Sequence, residues 1–309
     1  MRWLFVVDPP ERLNPRKDST VALMRAAARA GEEVFAAEIG GLGMDGGGAT
    51  IAARRLNLHE SDSAWMTASD AGQYRGEDFD AVWMRAEPPV DARFATATLI
   101  LDAISRPVFN APRALREWNE KLAIFRFPQL IPPTVVSAEF SVLRTFHSAH
   151  GGAVCKPLDG MGGRGVYVSP ADDKNLRAVL EMIGGAGGWV MAQRYLPEAR
   201  AGDARVFVID GAPADWMLVR TPRADDHRGN MAAGGEARAR PTDSAVRAIA
   251  AATGPTLAAA GILFAGLDVI GGRLTEINIT CPTGLREVRD QTGDDLAETV
   301  LAAARARLS

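Results

Sequence analysis

A glycine-rich segment in the middle of the chain limits the folds that this sequence can adopt. Gly160, Gly162 and Gly165 match the spacing G-x-G-x-x-G of dinucleotide-binding folds, in which a helix directly follows the glycines. Here the alternating run Val166–Val168 follows instead, and it predicts a strand. A strand over Ala153–Lys156 precedes the glycines, so the pattern predicts a strand–loop–strand flap and excludes a Rossmann dinucleotide site.

Such a flap has two interpretations. The backbone N–H groups of a glycine loop can cover the phosphates of a nucleotide, as they do in protein kinases, or the loop can be a mobile hairpin without a ligand. The H-R-D and D-F-G motifs of the kinases are absent from the sequence. The loop by itself therefore indicates phosphate binding without identifying a reaction.

Lysine is rare in this chain. Of 35 basic residues only four are lysines, namely Lys17, Lys121, Lys156 and Lys174. Where arginine serves as the general cation, a retained lysine indicates a site that needs a compact point charge, and phosphate is a common ligand of such an ammonium. Lys156 ends the strand before the glycine loop, and Lys121 lies in a predicted helix. We predict that these two lysines contact phosphate, and that Lys17 and Lys174 are surface residues.

Composition and charge exclude several classes of protein. The formal net charge of −3 argues against general binding to nucleic acid or to a membrane surface. Cys155 and Cys281 lie too far apart for a CxxC site or a disulfide scaffold, which indicates a reducing, cytoplasmic compartment. The first apolar run is too short for a signal peptide. The uncharged stretch 248–267 has the length of a membrane span, but Gly254-Pro255 interrupts it. We predict a helix ended by Gly261 and then a buried strand.

Strands and helices alternate along the first third of the chain, which is typical of a βαβ arrangement. A length of 309 residues suggests two or three domains. We place the divisions at residues 1–118, 119–200 and 201–309, and the predicted class is α/β (α+β). The glycine-rich stretch 40–49 lacks a lysine or a helix start and is predicted to be a loop, whereas residues 118–127 are predicted to form a helix.

Three oxygen-bearing side chains, Asp268, Glu276 and Asn278, flank a predicted hairpin near the end of the chain. Oxygen ligands suit Mg²⁺, which binds one or two carboxylates together with nucleotide phosphates. A two-residue Gly271-Gly272 turn would put Asp268 and Glu276 on opposite faces of the hairpin, whereas a three-residue turn pairs them. The metal hypothesis therefore predicts the longer turn, and the alternative is a solvated polar strand face.

The segment from Thr221 to Arg240 is long, polar and punctuated by glycines, as are lids over active sites. Arg228 and Asn230 are the residues in it that we expect to fold over an anionic intermediate. His227 is not evidence of a general base, because a single histidine in a loop is more often exposed to solvent.

Several segments taken together resemble the ATP-grasp ligases, and more narrowly the bacterial (prokaryotic-type) glutathione synthetases. They cover nearly the whole chain and are Asp8-Pro9 to Lys17-Asp18-Ser19, Met84-Arg85 to Pro88-Pro89, Asn119-Glu120-Lys121, Lys156 to Gly163, Gln193 to Leu196, Arg228 to Gly235, Gly266-Leu267-Asp268 and Thr275 to Asn278. The resemblance implies the ATP-grasp fold, with an N-terminal βαβ pre-ATP-grasp domain and two α+β subdomains that clasp the nucleotide.

The resemblance also implies roles for the matching residues. The ATP-binding residues would be Lys121, Lys156, Gly160, Gly162, Gly163, Gly165, Gln193, Arg194, Tyr195, Leu196 and Asp203. The catalytic residues would be Arg205, Arg228 and Asn230, and the ligands of Mg²⁺ or Mn²⁺ would be Asp268, Glu276 and Asn278. The peptide substrate would be held by Arg85, Arg220 and Arg286.

The implied reaction is the ligation of glycine to γ-L-glutamyl-L-cysteine. A carboxylate attacks the γ-phosphate of ATP, and the glycine amine displaces phosphate from the resulting acyl phosphate, which gives glutathione, ADP and phosphate. Cations serve such a reaction more than acid–base residues do. The resemblance further implies a homotetramer whose partners are small molecules.

Two alternatives stay open. Ala86 and Glu87 stand where the family pattern has lysine and aspartate, which allows another ATP-grasp ligase with a different acid or amine. The other alternative is a non-catalytic nucleotide-binding protein of the same fold, which would have little need of a complete magnesium set.

Overall fold

Three β-sheets succeed one another along the chain in a computed structural model, which describes residues 1–185, 188–222 and 236–308. Within those residues the first sheet contains eight strands, the second four and the third five. The glycine loop belongs to the second sheet and the predicted metal hairpin to the third. The position of the candidate site therefore depends on these two sheets.

The first sheet mixes parallel and antiparallel pairs. Its strands are β1 (Arg2–Val6), β2 (Glu33–Ala37), β3 (Leu42–Asp45), β4 (Gly48–Leu58), β5 (Met66–Ala68), β6 (Gly72–Arg75), β7 (Ala81–Met84) and β8 (Val108–Phe109). Their order is β3-β4-β2-β1-β7-β8, and β5 and β6 pair with β4. The central strand β1 runs parallel to β2 and β7, in agreement with the predicted βαβ pattern.

The glycine-rich stretch 40–49 is a hairpin, so the loop prediction there is wrong. β3 pairs with β4 in antiparallel orientation, and Asp45 faces Gly48 across the turn. Gly48 has a φ of 109°, which glycine adopts readily and other residues rarely do. The backbone N–H of Gly47 donates to Asp45 Oδ1 at 2.7 Å. These glycines serve a tight turn.

The second sheet is antiparallel throughout, with the order β11-β10-β12-β9. Its strands are β9 (Thr134–Ser137), β10 (Gly152–Pro157), β11 (Tyr167–Pro170) and β12 (Val190–Gln193). Cys155 on β10 lies opposite Tyr167 on β11, so the glycine loop joins two adjacent strands. The predicted strand–loop–strand flap is confirmed.

The third sheet is also antiparallel, with the order β15-β14-β13-β16-β17. Its strands are β13 (Asp203–Ile209), β14 (Ala212–Thr221), β15 (Glu236–Pro241), β16 (Phe264–Ile270) and β17 (Arg273–Asn278). Because β14 includes Thr221 and β15 covers the end of the polar segment predicted as a loop, the prediction is wrong for residue 221 and for residues 236–240. The rest of that segment, from residue 223 to 235, lies outside the described residues.

Eight α-helices lie within the described ranges: α1 (Ser19–Arg29), α2 (Ala92–Asp102), α3 (Pro112–Glu117), α4 (Phe140–Ala149), α5 (Leu176–Gly184), α6 (Ser244–Ala259), α7 (Leu285–Thr292) and α8 (Leu296–Ala306). Asp18, Asp91 and Asp243 cap α1, α2 and α6 by accepting a backbone N–H in the first turn. Aspartate at these positions explains why the sequence begins a helix there.

Two helix predictions have different outcomes. The uncharged stretch is a helix followed by the buried strand β16, as predicted, with Pro255 inside α6. The single helix predicted over residues 118–127 is wrong, because α3 ends at Glu117 and a short 3-10 helix covers Leu122–Arg126.

Among the described helices, none combines the length and apolar character that crossing a bilayer requires.

Asn110 joins the first sheet to the third. It directly follows β8, and its Nδ2 donates to the carbonyl oxygens of Phe264 and Ile279, at 2.8 and 2.6 Å. Its Oδ1 accepts from the backbone N–H groups of Leu263 and Phe264. A buried amide with these partners fixes the edge of the first sheet against β16 and the end of β17.

Candidate active site

A cavity opens between the second and third sheets. The predicted site residues that line it are Lys121, Lys156, Gly160, Gly162, Gly163, Gln193, Arg194, Tyr195, Leu196, Asp203, Asp268 and Glu276. Arg164 also lines it, so the lining holds four cationic side chains and three carboxylates. Apolar side chains, among them Val154, Val168 and Ile270, complete the walls. This combination of an apolar wall and an excess of cations suits a ligand with an apolar part and an anionic part.

Both predicted phosphate lysines reach the cavity. The Nζ of Lys156 donates to Gln193 Oε1 at 2.6 Å. Lys121 is 4% exposed, and its Nζ donates to the carbonyl oxygen of Gly160 and to Glu276 Oε1, the latter at 3.2 Å. Burial lowers the pKa of Lys156; Glu276 opposes this effect and Lys121 adds to it. In such low-dielectric surroundings an ammonium attracts an anion more strongly than it does in water.

The glycine loop is tied to the segment that carries Lys121. Asn119 Nδ2 donates to the carbonyl oxygen of Leu158 at 2.9 Å, and Lys121 contacts Gly160 as above. A Cβ added to Gly160 would lie 2.7 Å from Pro157 Cγ, a distance at which the two atoms clash. Gly162 and Gly163 have φ values of 59° and 78°, a region that favours glycine. The loop therefore presents backbone to the cavity, although Gly165 does not line it.

The segment after β12 forms one side of the cavity. Gln193 is 2% exposed and donates to Thr134 Oγ1 at 3.1 Å, while the backbone N–H of Arg194 donates to the carbonyl oxygen of Pro133 at 3.0 Å. Asp203, at the start of β13, accepts two hydrogen bonds from Arg220, at 2.7 and 2.6 Å. The segment from Gln193 to Leu196 is thus held to the second sheet while it faces the cavity.

Asp268 is 3% exposed and lies opposite Arg205 on the neighbouring strand. The Nε and Nη2 of Arg205 donate to its two oxygens, each at 2.8 Å, and Arg220 Nη2 lies 3.0 Å from Oδ2. Burial alone would raise the pKa of Asp268, but the two guanidinium charges outweigh it and hold the pKa well below its usual value. Burial likewise would lower the pKa of Arg220, but Asp268 and Asp203 together raise it. Asp268 is therefore ionised and neutralised by arginine at neutral pH.

Asp268 and Glu276 face each other across β16 and β17, although the predicted three-residue turn between these strands is wrong. The turn is the two-residue Gly271-Gly272, and both glycines have positive φ, 54° and 69°, as a type I′ turn requires. A β-bulge at Thr275 restores the register, because the extra residue brings Glu276 opposite Asp268. Thr275 Oγ1 donates to the carbonyl oxygen of Asp268 at 3.0 Å and so stabilises the bulge.

Asn278 completes this edge of the sheet. Its Nδ2 donates to the carbonyl oxygen of Gly266 at 3.2 Å and to Asp268 Oδ2 at 3.3 Å. The described residues contain no group of three or more His, Cys, Asp or Glu placed to hold a metal ion. The candidate metal set therefore consists of two carboxylates and one amide, all oxygen donors of the kind that Mg²⁺ prefers.

Arg85 does not line the cavity between the second and third sheets. It is 3% exposed and lies directly after β7. Its guanidinium donates to Thr20 Oγ1 at 3.2 Å and to the carbonyl oxygens of Thr280 and Pro282, each at 3.3 Å. These contacts use three of the five N–H groups of the guanidinium.

Arg286 and Arg220 are likewise engaged within the protein. Arg286 donates to Asp290 at 2.9 Å and to the carbonyl oxygen of Pro15 at 3.1 Å, and it also pairs with Asp62. Arg220 serves Asp203 and Asp268, as described above. The structure brings neither side chain to the lining of that cavity. The two predicted lid residues, Arg228 and Asn230, lie outside the described part of the chain.

Glu120 accepts several hydrogen bonds in the structure, a role that the sequence analysis did not predict. Its Oε1 accepts from the backbone N–H groups of Ile279 and Thr280 and from Thr280 Oγ1, at 2.8, 3.0 and 2.8 Å. Its carbonyl oxygen accepts from the N–H of Ile277 at 3.0 Å. Burial and the charge of Glu276 raise the pKa of Glu120. These hydrogen bonds hold the segment that carries Lys121 against β17. In the sequence, the only indication of this role is that Glu120 directly precedes Lys121.

Family comparisons cover almost the whole chain. The family described as prokaryotic glutathione synthetase, N-terminal domain, matches residues 1–116. The family described as prokaryotic glutathione synthetase, ATP-grasp domain, matches residues 120–293 and so includes the cavity residues.

Curated relatives are similar over most of their length. A glutathione synthetase of Gloeobacter violaceus is 43% identical over 297 residues, which cover 93% of this chain and 91% of the relative. Those of Xanthomonas axonopodis pv. citri and Neisseria meningitidis serogroup B are 41% and 40% identical, with 95% and 96% of this chain covered and 94% and 96% of the relatives.

Solved structures share the fold. The D-cycloserine synthetase DcsG superposes with a TM-score of 0.72 at 17% identity, and the whole of both chains is covered. The ATP-grasp ligase PsnB, complexed with a minimal precursor, has a TM-score of 0.62 at 19% identity, with 99% of each chain covered. The arrangement of the three sheets is therefore the ATP-grasp fold.

Proposed function

The chain belongs to the prokaryotic glutathione synthetase family, and on that premise we propose that it ligates glycine to γ-L-glutamyl-L-cysteine with ATP, giving glutathione, ADP and phosphate. The observation that carries the proposal is the convergence of Lys121, Lys156 and the glycine loop with the opposed carboxylates Asp268 and Glu276 in one cavity. Such a site can hold a triphosphate beside a carboxylate.

The nucleotide occupies the cavity between the second and third sheets. The ammonium groups of Lys121 and Lys156 contact its phosphates, and the backbone of Gly160, Gly162 and Gly163 covers them. Gln193 to Leu196 lie beside the adenine, and Asp203 lies near the ribose. The burial of Lys121 and the partial burial of Lys156 support this assignment, because a desolvated ammonium binds phosphate more strongly than an exposed one.

Asp268, Glu276 and Asn278 are the residues that would hold Mg²⁺, or Mn²⁺. Their fit is supported by donor chemistry and by register, since two carboxylates and an amide meet at one edge of the third sheet. The ion would supply charge neutralisation for the phosphates. Lys121 donates to Glu276 and Arg205 to Asp268, so these cations and the ion would share the same carboxylates.

The reaction needs two anions to meet. The cysteinyl carboxylate of the dipeptide attacks the γ-phosphorus of ATP, the bond to the β-phosphate oxygen breaks, and an acyl phosphate and ADP form. The neutral amine of glycine then adds to the acyl carbon, and phosphate leaves as the amide forms. Lys121, Lys156 and Arg205 offset the charge that these steps bring together. Arg228 and Asn230 are proposed to close over the intermediate and exclude water.

We propose that the peptide substrate is held by Arg85, Arg220 and Arg286. Each already donates to a carbonyl oxygen or a carboxylate of the protein, which fixes its guanidinium in place. A cytoplasmic location is proposed because Cys155 and Cys281 are both free thiols, as is usual in a reducing compartment. The division into residues 1–118, 119–200 and 201–309 and the homotetrameric state also stay proposals.

A panel of carboxylates and amines, scored by ADP release with ATP and Mg²⁺, tests the proposed function. We expect γ-glutamylcysteine with glycine to give the highest rate, and either compound alone to give little ADP. Another acid or amine with a much higher rate would favour the second candidate, an ATP-grasp ligase of different specificity. The observation that favours this candidate is the pair Ala86 and Glu87 beside Arg85.

A further inference from the structure

Three polar side chains lie on one face of the second sheet. Thr134 on β9 is opposite Gln193 on β12, and Gln193 is opposite Val154 on β10. Lys156 follows two residues after Val154 on the same strand, so its side chain leaves the sheet on the same face. Gln193 and Lys156 line the cavity between the second and third sheets, whereas Thr134 does not. Thr134 is therefore separated from the proposed nucleotide site by Gln193.

The hydroxyl group of Thr134 fixes the direction of one hydrogen bond. Its Oγ1 donates to the carbonyl oxygen of Pro132 at 2.8 Å, and a carbonyl oxygen has no proton to give in return. A threonine hydroxyl has a single proton, so Oγ1 can only accept from its second partner, the Nε2 of Gln193 at 3.1 Å. The amide nitrogen of Gln193, and not its oxygen, must therefore face Thr134.

The orientation of the Gln193 amide decides which atom Lys156 contacts. With Nε2 at Thr134, the other end of the amide presents Oε1 to the Nζ of Lys156, at 2.6 Å. A reversed amide would place an NH2 group against the ammonium, so that two donors would be in contact without an acceptor. Among the described residues, no other hydrogen bond or ion pair holds this ammonium. The position of the Lys156 ammonium therefore depends on Gln193.

The two lysines of the cavity are held by different kinds of acceptor. Lys121 pairs with the carboxylate of Glu276 at 3.2 Å, whereas Lys156 is held by a neutral amide. A neutral acceptor fixes an ammonium without cancelling its charge, so the charge of Lys156 stays available to an anionic ligand. Gln193 is 2% exposed and Lys156 is partly buried, which limits the competition of solvent for their hydrogen bond.

We propose that Thr134 is a positioning residue for nucleotide binding, which orients the amide of Gln193 and thereby holds the ammonium of Lys156 at the cavity. This assignment rests on the proposed function in one respect, namely that the ligand of the cavity is a nucleotide. Thr134 acts on the nucleotide through Gln193 and not by direct contact. Removal of the Gln193 amide must therefore also remove the effect of Thr134 on nucleotide binding.

The dissociation constant of ADP in the presence of Mg²⁺, measured by calorimetry, tests the assignment without relying on turnover. Thr134→Val removes the hydroxyl and keeps the shape of the side chain, whereas Thr134→Ser keeps the hydroxyl. Thr145→Val on α4 is the matched control, because the exposed Thr145 also donates to a backbone carbonyl oxygen, that of Ser141, at 2.8 Å.

The expected results separate these variants. Thr134→Val weakens ADP binding about fivefold, as the loss of one hydrogen bond of ordinary strength does. Thr134→Ser and the control Thr145→Val bind ADP within about twofold of the wild type, because neither disturbs the orientation of the Gln193 amide. Where Thr134→Val is not folded by circular dichroism, Thr134→Ala takes its place under the same criteria.

A double-mutant cycle distinguishes positioning from a merely structural role. In a Gln193→Met background, which lacks the amide, Thr134→Val should change the dissociation constant of ADP by less than about twofold. A loss that persists at full size in this background, or ADP binding by Thr134→Val equal to that of the wild type, would overturn the assignment. Wild-type protein that binds ADP but does not join glycine to γ-glutamylcysteine would instead remove the proposed function, so the two failures are distinguishable.

Discussion

Arg205 and Asp268 face each other on adjacent antiparallel strands and share two hydrogen bonds of 2.8 Å. Both side chains are almost fully buried, 7% and 5% exposed, and Arg220 approaches the same carboxylate. The carboxylate proposed to bind Mg²⁺ is thus the shared ion-pair partner of two arginines. Removing one partner of a buried ion pair leaves an unpaired charge in the protein interior, which costs free energy of folding. This relationship therefore links the stability of the third sheet to the active site.

Asp268→Asn is expected to destabilise the protein as well as inactivate it. Two guanidinium groups lose their shared anion, and breaking a buried pair costs about 3–5 kcal/mol. Urea unfolding monitored by circular dichroism measures the loss. Asp215→Asn is the control, since the Asp215 carboxylate is 87% exposed and its pairing with Arg247 contributes little. A free energy of unfolding equal to that of the wild type would contradict this prediction.

Glu276→Gln is expected to separate activity from stability. Its side chain is 20% exposed and pairs with Lys121, which keeps the carbonyl oxygen of Gly160 as a partner. We predict a fall in kcat of roughly 10²–10³-fold, the usual effect of losing one charge-stabilising contact. The unfolding temperature should stay within about 3 °C of the wild type. Near-normal turnover with Mg²⁺ would remove Glu276 from the metal set.

Lys156→Met is expected to stabilise the ligand-free protein while weakening nucleotide binding. The pKa of Lys156 is lowered by burial, so its charged form is disfavoured relative to the unfolded chain and reduces stability at neutral pH. That penalty is relieved as the pH rises through the lowered pKa, so the advantage of the variant should shrink in alkaline buffer. Thermal unfolding with and without ADP measures both effects.

Lys174→Met serves as the control for this experiment, because Lys174 is exposed. In the wild type and in the control, ADP should raise the unfolding temperature by the same amount, and in Lys156→Met by less. Equal protection of all three proteins by ADP would show that Lys156 does not contact the nucleotide.

Glu120→Ala and Glu120→Gln are expected to differ. Alanine leaves three donors on Ile279 and Thr280 without an acceptor, and each unsatisfied buried group costs about 1–3 kcal/mol. Glutamine keeps the accepting oxygen and removes a charge that burial disfavours, so its free energy of unfolding should lie close to that of the wild type. Urea unfolding of both variants checks the difference, and equal losses would mean that the hydrogen bonds at Oε1 contribute nothing.

The sequence predicted the strand–loop–strand flap and the pairing of Asp268 with Glu276, because both depend on local pattern. Glycine spacing and the alternation around Val166 are sufficient for the flap. The turn was predicted wrongly since a bulge at Thr275 and a longer turn give the same register, and only the path of the backbone distinguishes them.

Contacts between segments that are distant in the chain could not be predicted from the sequence. The triple acceptor role of Glu120 joins residues 159 or more positions apart, and the amide of Asn110 spans a similar separation. Neither leaves a periodic signal, because a single polar residue is enough when the fold brings its partners together. The neutralisation of Asp268 by arginine was hidden for the same reason, although each of the three residues had been singled out.

The transfer of ¹⁸O from the cysteinyl carboxylate of labelled γ-glutamylcysteine to phosphate tests the central claim most directly. Attack by that carboxylate on the γ-phosphorus and later displacement by glycine must leave one carboxylate oxygen on the phosphate released. We predict one ¹⁸O atom per phosphate by mass spectrometry, in step with the formation of glutathione. Unlabelled phosphate would show that water cleaves ATP and would contradict the acyl phosphate account.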